Sequence, residues 1–231
     1  MIQINNLQKS YNGNRAVDIE QLIIPTGESF GLVGNNGAGK TTLFRLLLDL
    51  LKADSGEAFI KDQSVARNEN WKKITGSYLD QGFLIDFLSP EEYFNFTGKI
   101  KGLTKEEIQL YLADMEDFFN GEVLGKKKLI RNFSMGNQQK IGIAAAMMGH
   151  PEIIILDEPF NSLDPSTQIR LKQLIKKQKA ITKSTFLISS HDLNHIAEVC
   201  DRVVILENGK IVHDLHTDND TLASLESYFA V

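Results

Sequence analysis

The sequence predicts an α/β fold with a mostly parallel sheet, an antiparallel β portion at the N-terminus and an inserted helical subdomain. Three observations lead there. "EIIIL" (152–156) and "STFLIS" (184–189) are apolar runs of the kind that form strands buried on both faces of a parallel sheet. "ESFGLVG" (28–34) carries a short apolar strand straight into a glycine loop and then a helix, and such strand–loop–helix alternation argues for a parallel α/β core. From about Asp86 to Met148 the apolar spacing turns helical.

The elements follow in order. "IQINNLQKSY" (2–11) alternates like a strand. "GKTTLFRLLLDLLK" (39–52) reads as a helix with Leu43, Leu46, Leu47 and Leu50 on one face. "GEAFIKDQSV" (56–65) reads as a strand, and "KITGSYLDQ" (73–81) as another that ends at Asp80-Gln81. In the helical block, "SPEE" places Ser89 at a cap, Pro90 at the first helical position and Glu92 to complete a capping box; "TKEE" repeats the device with Thr104 and Glu107. "DPSTQIRLKQLIKKQKA" begins a helix at Pro165 behind Asp164. "RVVILENGKIVH" reads as two strands around an Asn208-Gly209 turn. The expected organisation is one domain over 1–231, with 1–85 and 149–231 forming the core and 86–148 the helical subdomain.

Bulk composition narrows the function classes. Apolar residues make up 42% and charged residues 24%, an ordinary globular balance. A net charge of −5 argues against a nucleic-acid partner. The single cysteine, Cys200, excludes an intrachain disulfide and reads as a half-buried helix thiol. No apolar run reaches the roughly 18 residues that span a bilayer. The start, "MIQINNLQKSYNG", has no apolar targeting core. The expected location is cytoplasmic, with any membrane-spanning part supplied by another chain. "GKKKL" (125–129) reads as a solvated loop.

Gly34 to Thr41 fit G-x-x-x-x-G-K-[ST]. Glycines let a backbone curl so that its N–H groups face phosphate oxygens; Lys40 can reach the β- and γ-phosphates and Thr41 can place a hydroxyl on Mg²⁺. Four fixed positions match by chance in a chain of this length about once in a hundred. "IIILDEP" puts Asp157 and Glu158 just past a buried strand, where open α/β sheets place their ligands. Asp157 suits the metal shell, and Glu158 suits aligning or deprotonating a water for phosphoryl transfer. "FSMGNQQK" (133–140) adds a second helix start preceded by serine, also of phosphate-binding type. One chain thus carries two phosphate grips and one set of hydrolytic residues.

The order of these motifs resembles the ATP-binding cassette (ABC) ATPase domain, over nearly the whole chain. Tyr11 stands at the family's adenine-stacking aromatic, with Val17 as a second wall of that slot. Gly34 to Thr42 match its P-loop, so the resemblance implies nucleotide contacts from Asn35, Gly37, Ala38, Gly39, Lys40, Thr41 and Thr42. Gln81 matches the Q-loop, which in the family touches Mg²⁺ and hinges the helical subdomain. Phe133 to Lys140 match the "LSGGQ" signature, Ile153 to Glu158 the Walker B strand, Ser162-Leu163-Asp164 the D-loop, and His191 in "SSHDL" the switch histidine. Phe133, Met135 and Asn137 replace the common leucine, glycine and glutamine; Ser134, Gly136 and a basic Lys140 are kept.

The resemblance implies a P-loop NTPase core that binds ATP and Mg²⁺. Lys40, Gln81, Glu158 and His191 are its implied catalytic groups, and Thr41, Gln81 and Asp157 its implied metal ligands. It also implies a second cassette paired head to tail, most simply a second copy of this chain. Ser134 and Gly136 would then touch the γ-phosphate held by the partner, which resolves the mismatch between two grips and one hydrolytic set. A permease on a separate chain would place the protein peripherally on the inner face of the membrane. "LSPEEYFNFTGKIKGLTKEE" (88–107) resembles single-cassette bacterial exporters, and the short tail "TDNDTLASLESYFAV" (217–231) leaves no room for a regulatory domain. The alternative is a soluble cassette without a permease, such as the metal-cluster assembly type.

Overall fold

The computed structural model describes residues 1–218. The chain opens with two long antiparallel strands, β1 (Ile2–Tyr11) and β2 (Asn14–Ile24). β4 (Ser55–Ile60) pairs with β1, and β5 (Gln63–Ser64) with β4, to give a four-stranded antiparallel sheet. The stretch 56–65, expected as one strand, is therefore two. Lys61 and Asp62 both stand at positive φ and fold it back on itself.

The second sheet has six strands in the order β10-β9-β3-β8-β7-β6. They are β3 (Ser29–Val33), β6 (Thr75–Tyr78), β7 (Ile153–Leu156), β8 (Thr185–Ser190), β9 (Arg202–Glu207) and β10 (Lys210–His216). All neighbours are parallel except β10, which returns antiparallel to β9. β3, β7 and β8 are buried along their whole length. The pleat alternates their side chains between two cores. On β7, Ile153 and Ile155 join the apolar cluster of the antiparallel sheet and α1 (Lys40–Leu47); Ile154 and Leu156 join the cluster of the other helices.

α1 is shorter than its leucine pattern suggested. Leu43, Leu46 and Leu47 are buried as expected, but the helix ends at Leu47 and Leu50 lies past it, 48% exposed. Asp49 takes a left-handed φ of 52° and turns the chain before Leu50 can join the buried face.

Four helices occupy the middle block: α2 (Pro90–Ile100), α3 (Lys105–Asp114), α4 (Glu116–Phe119) and α5 (Met135–Met147). Both capping boxes form, Ser89 with Glu92 and Thr104 with Glu107. α6 (Pro165–Thr182) starts on Asp164, whose carboxylate accepts from the N–H groups of Ser166 and Thr167. α7 (Leu193–Val199) starts on Asp192. Cys200 lies just past α7 and is fully buried rather than half-buried; burial pushes its thiol pKa up. Residues 125–128 are exposed as expected. Most of the tail singled out above, from residue 219 on, lies outside the described residues.

α5 comes down on the edge strand β6 because each element offers the other a glycine. A Cβ on Gly76 would stand 1.8 Å from the Ala146 carbonyl oxygen, and one on Gly142 would stand 2.3 Å from the Tyr78 ring. Tyr111 donates to the Ala144 carbonyl at 2.6 Å and fixes α3 on the same helix. Backbone opposite backbone cannot give way as a flexible side chain can. Gly76→Ala is therefore expected to cost about 1–3 kcal/mol of stability or more, read as a lower midpoint in urea unfolding.

Candidate functional site

The parallel strands deliver their following loops to one edge. β3 ends at Val33 and opens the glycine loop; β7 ends at Leu156, before Asp157 and Glu158; β8 ends at Ser190, before His191. The register places Val33 beside Ser190 and Leu156 beside Ile188, so these loops are neighbours. This is the carboxyl edge at which open α/β sheets bind ligands.

The loop from Gly34 to Gly39 is built to bring backbone close. Gly39 caps α1 at a left-handed φ of 112°, and a Cβ there would stand 2.1 Å from the Ala16 carbonyl oxygen. The Ala38 N–H donates to the Asn35 carbonyl at 3.0 Å, which closes the turn. Lys40 folds back under it. Its ammonium donates to the Gly34 carbonyl at 2.6 Å and lies 3.2 Å from Glu158 Oε1, with the side chain only 6% exposed.

Asp157 ties three elements together. Thr41 Oγ1, on α1, donates to its Oδ2 at 2.5 Å. Ser189 Oγ, on β8, donates to its Oδ1 and accepts the Glu158 N–H at 2.8 Å. The Asp157 N–H donates to the Tyr78 carbonyl on β6 at 2.9 Å. Burial raises the Asp157 pKa, and the Ser189 and Thr41 hydrogen bonds oppose the rise. Sequence reasoning missed Ser189. A serine at the end of a buried strand, before the "SHD" loop, was its only signal.

Glu158 stands at a left-handed φ of 47°, uncommon for a residue with a side chain. Its carboxylate faces Lys40 on one oxygen and His191 on the other, with Oε2 2.9 Å from His191 Nδ1. Lys40, Thr41, Asp157, Glu158 and His191 are thus brought together, as their spacing in the chain could not show by itself.

A cavity of about 340 Å³ opens beside them. It is lined by Tyr11 and Ala16, by Asn36 and the run from Gly37 to Thr42, and by Glu158. Val17 does not line it. Its side chain points inward, 0% exposed, and packs in the core of the antiparallel sheet. The alternation of β2 explains this correction: if Val17 faces the core, its neighbour Ala16 faces the cavity. Asn35 contributes its carbonyl to the loop, and Asn36 takes the lining position.

Gln81, Ser134 and Gly136 are not among the residues that line this cavity. Gln81 begins a short 3-10 turn past β6, the strand that pairs with β7, which leads into Asp157. Ser134 caps α5, accepting the Asn137 N–H at 3.3 Å, and Gly136 lies in the first turn. Neither Ser134 nor Gly136 lines the cavity of its own chain.

Residues 18–161 match the family profile described as ABC transporter. The uncharacterized ABC transporter ATP-binding protein YhcH of Bacillus subtilis is 31% identical over 99% of this chain and 74% of its own length. The bacitracin transport ATP-binding protein BcrA of Bacillus licheniformis is 33% identical over 95% of this chain and 71% of its own. The methionine import ATP-binding protein MetN of Carboxydothermus hydrogenoformans is 31% identical over 93% and 66%. With another such relative, from Synechocystis, the matched part is 54% of the relative's length. A bacterial ABC transporter cassette solved as a dimer superposes with a TM-score of 0.84 at 25% identity, over 95% of this chain and 100% of that one. The chain belongs to the ABC transporter family, as one of its ATPase cassettes.

Proposed function

We propose that two copies of this chain close around two MgATP and drive a permease carried on a separate chain, most consistently for export. The observation that carries the catalytic part is the convergence of Lys40, Thr41, Asp157, Glu158 and His191 beside one cavity that Tyr11 also lines.

The donor set fits Mg²⁺. Thr41 and Asp157 offer hard oxygens 2.5 Å apart, and among the described residues there is no group of three or more His, Cys, Asp or Glu able to hold a metal. A site with one carboxylate suits a cation that keeps waters and shares phosphate oxygens. We assign Thr41 and Asp157 to hold it and Gln81 to complete the set. When bound, Mg²⁺ neutralises charge on the β- and γ-phosphates.

The chain's own groups do the rest. Tyr11 stacks on the adenine, and the Gly37–Thr42 backbone cradles the phosphates. Lys40 exchanges its Gly34 carbonyl for phosphate oxygens. Glu158 orients the attacking water and takes its proton, while His191 faces the γ-phosphate. The position of Ser134 and Gly136 outside their own cavity favours a head-to-tail pair, in which α5 completes the partner's site; a two-fold pair makes that interface isologous.

The family profile and the transport proteins among the relatives support the permease. Among the described residues no helix is long and apolar enough to cross a membrane, consistent with a spanning part on another chain. Export follows the resemblance of residues 88–107; the methionine import relative keeps import as the outcome that would reverse it.

Glu158→Gln is expected to lower ATP turnover by about 10²- to 10⁴-fold, the usual worth of a general base, with ATP affinity nearly unchanged. Phosphate release and nucleotide titration read the two separately, and near-normal turnover would remove Glu158 from its role. Tyr11→Ala is expected to weaken ATP binding by about 1–3 kcal/mol, as lost base stacking does; unchanged affinity would show that the ring is only a strand-end aromatic. Tagged Glu158→Gln protein, pulled from its native cells in mild detergent with ATP, is expected to bring down a multi-span membrane protein. Soluble partners alone would favour the soluble-cassette reading.

A further inference from the structure

One buried polar side chain reaches the Glu158 backbone from α5. Gln139, on the second turn of α5, is 2% exposed. Its Nε2 donates to the Pro159 carbonyl at 2.6 Å and lies 3.3 Å from the Glu158 carbonyl. A buried amide is placed by its bonds, since a donor left unpaired there is costly. These bonds reach the backbone of the very residue proposed to activate water.

Glu158 needs such support. A left-handed backbone at a residue with a side chain persists only where the surroundings hold it. Its N–H is held by Ser189 at 2.8 Å. Its carbonyl accepts from Asn161 N–H at 3.2 Å and from Gln139. Ser189 belongs to the sheet and Asn161 to the same turn, so Gln139 is the bond that ties this turn to α5. The first turn of α5 presses on the same loop: a Cβ on Gly136 would stand 2.6 Å from the Ser162 carbonyl oxygen.

We propose that Gln139 is a positioning residue for hydrolysis. It holds the Glu158–Pro159 backbone against α5, and so makes the aim of the Glu158 carboxylate depend on where α5 sits. The proposal rests on the reading of Glu158 given above. In the head-to-tail pair it has a direct consequence. The α5 N-terminus grips the nucleotide of the partner, while Glu158 acts on the nucleotide of its own chain. Gln139 then joins the two sites through one side chain.

The test uses the full chain at a concentration that saturates turnover. Gln139→Met keeps length and volume but removes the donor; Gln139→Asn keeps the amide but shortens its reach. Each is expected to lower kcat about tenfold to a hundredfold, the scale of a small misplacement of a reacting group, while ATP KM and the binding of a fluorescent nucleotide stay within about twofold. In the double variant with Glu158→Gln, Gln139→Met is expected to add no further loss, because the group it positions is already gone. Thermal melts of every variant identify any that fails to fold, and Gln139→Asn carries the test if Gln139→Met does. An unchanged kcat, a loss of binding in step with kcat, or an additive loss in the double variant would each overturn the proposal. The underlying reading fails separately: if Glu158→Gln alone leaves turnover intact, Glu158 is not the water-activating group, whatever Gln139 does.

Discussion

Asp157 keeps only 5% of its surface in contact with solvent, and a carboxylate in that position is costly unless its oxygens are bonded. The structure bonds both, one to Thr41 at the start of α1 and one to Ser189 at the end of β8. Thr41 lies in the first turn of α1, past the glycine loop after β3, and Ser189 lies near the end of β8, while Asp157 follows β7. A single buried charge thereby ties the start of α1 and the ends of β7 and β8 to one another. Burial still raises its pKa, because two neutral hydroxyls do not replace water or a counter-charge. In the proposed site, a divalent cation held by Asp157 and Thr41 would supply that missing counter-charge, so the residue that costs the fold energy is also the one suited to a metal.

The residue after Asp157 does different work because the backbone changes hand there. Asp157 faces α1 and β8 across the sheet edge. Glu158, at positive φ, is turned so that its carboxylate lies between Lys40 and His191 instead. In the proposed mechanism two adjacent acids thus serve two partners, a cation shell and a water. Their separation depends on holding the left-handed turn at Glu158, where the Asn161 N–H bonds the Glu158 carbonyl from within the turn. The amide of Gln139 and the hydroxyl of Ser189 supply the remaining hold from opposite sides.

Much of this was legible in the sequence where local chemistry decides it. The apolar runs of β7 and β8, the capping boxes at Ser89 and Thr104, and the glycine loop before Lys40 each carry their own physical reason within a few residues. The failures have a common cause. Leu50 fits the helical spacing, but one left-handed residue, Asp49, ends the helix before it. Val17 and Ala16 are both plausible walls until the pleat of β2 sends one inward and the other outward. Ser189 and Gln139 are ordinary polar residues in the sequence. They gain meaning only when β8 and α5 are packed beside β7, a long-range fact with no local signature.

The same packing changes the sense of the signature's departures from its family's common form. Phe133, the least usual of them, is buried, and the Lys128 ammonium stands 4.3 Å from its ring centre. The larger ring is thus absorbed inside the subunit, with a basic loop residue lying over it, an arrangement that favours both groups. Asn137 is half-buried, and its N–H is taken by Ser134. Met135 is the departure that faces outward, 61% exposed at the start of α5. In the proposed pair it is therefore Met135, not Phe133, that meets the partner's nucleotide site in place of a glycine. Its unbranched, polarisable side chain can lie along an irregular surface at little cost, whereas a branched residue there would hold the helix start away. The closing contact is then set by how that one side chain folds aside, while Ser134 and Gly136 keep the backbone face that a phosphate needs.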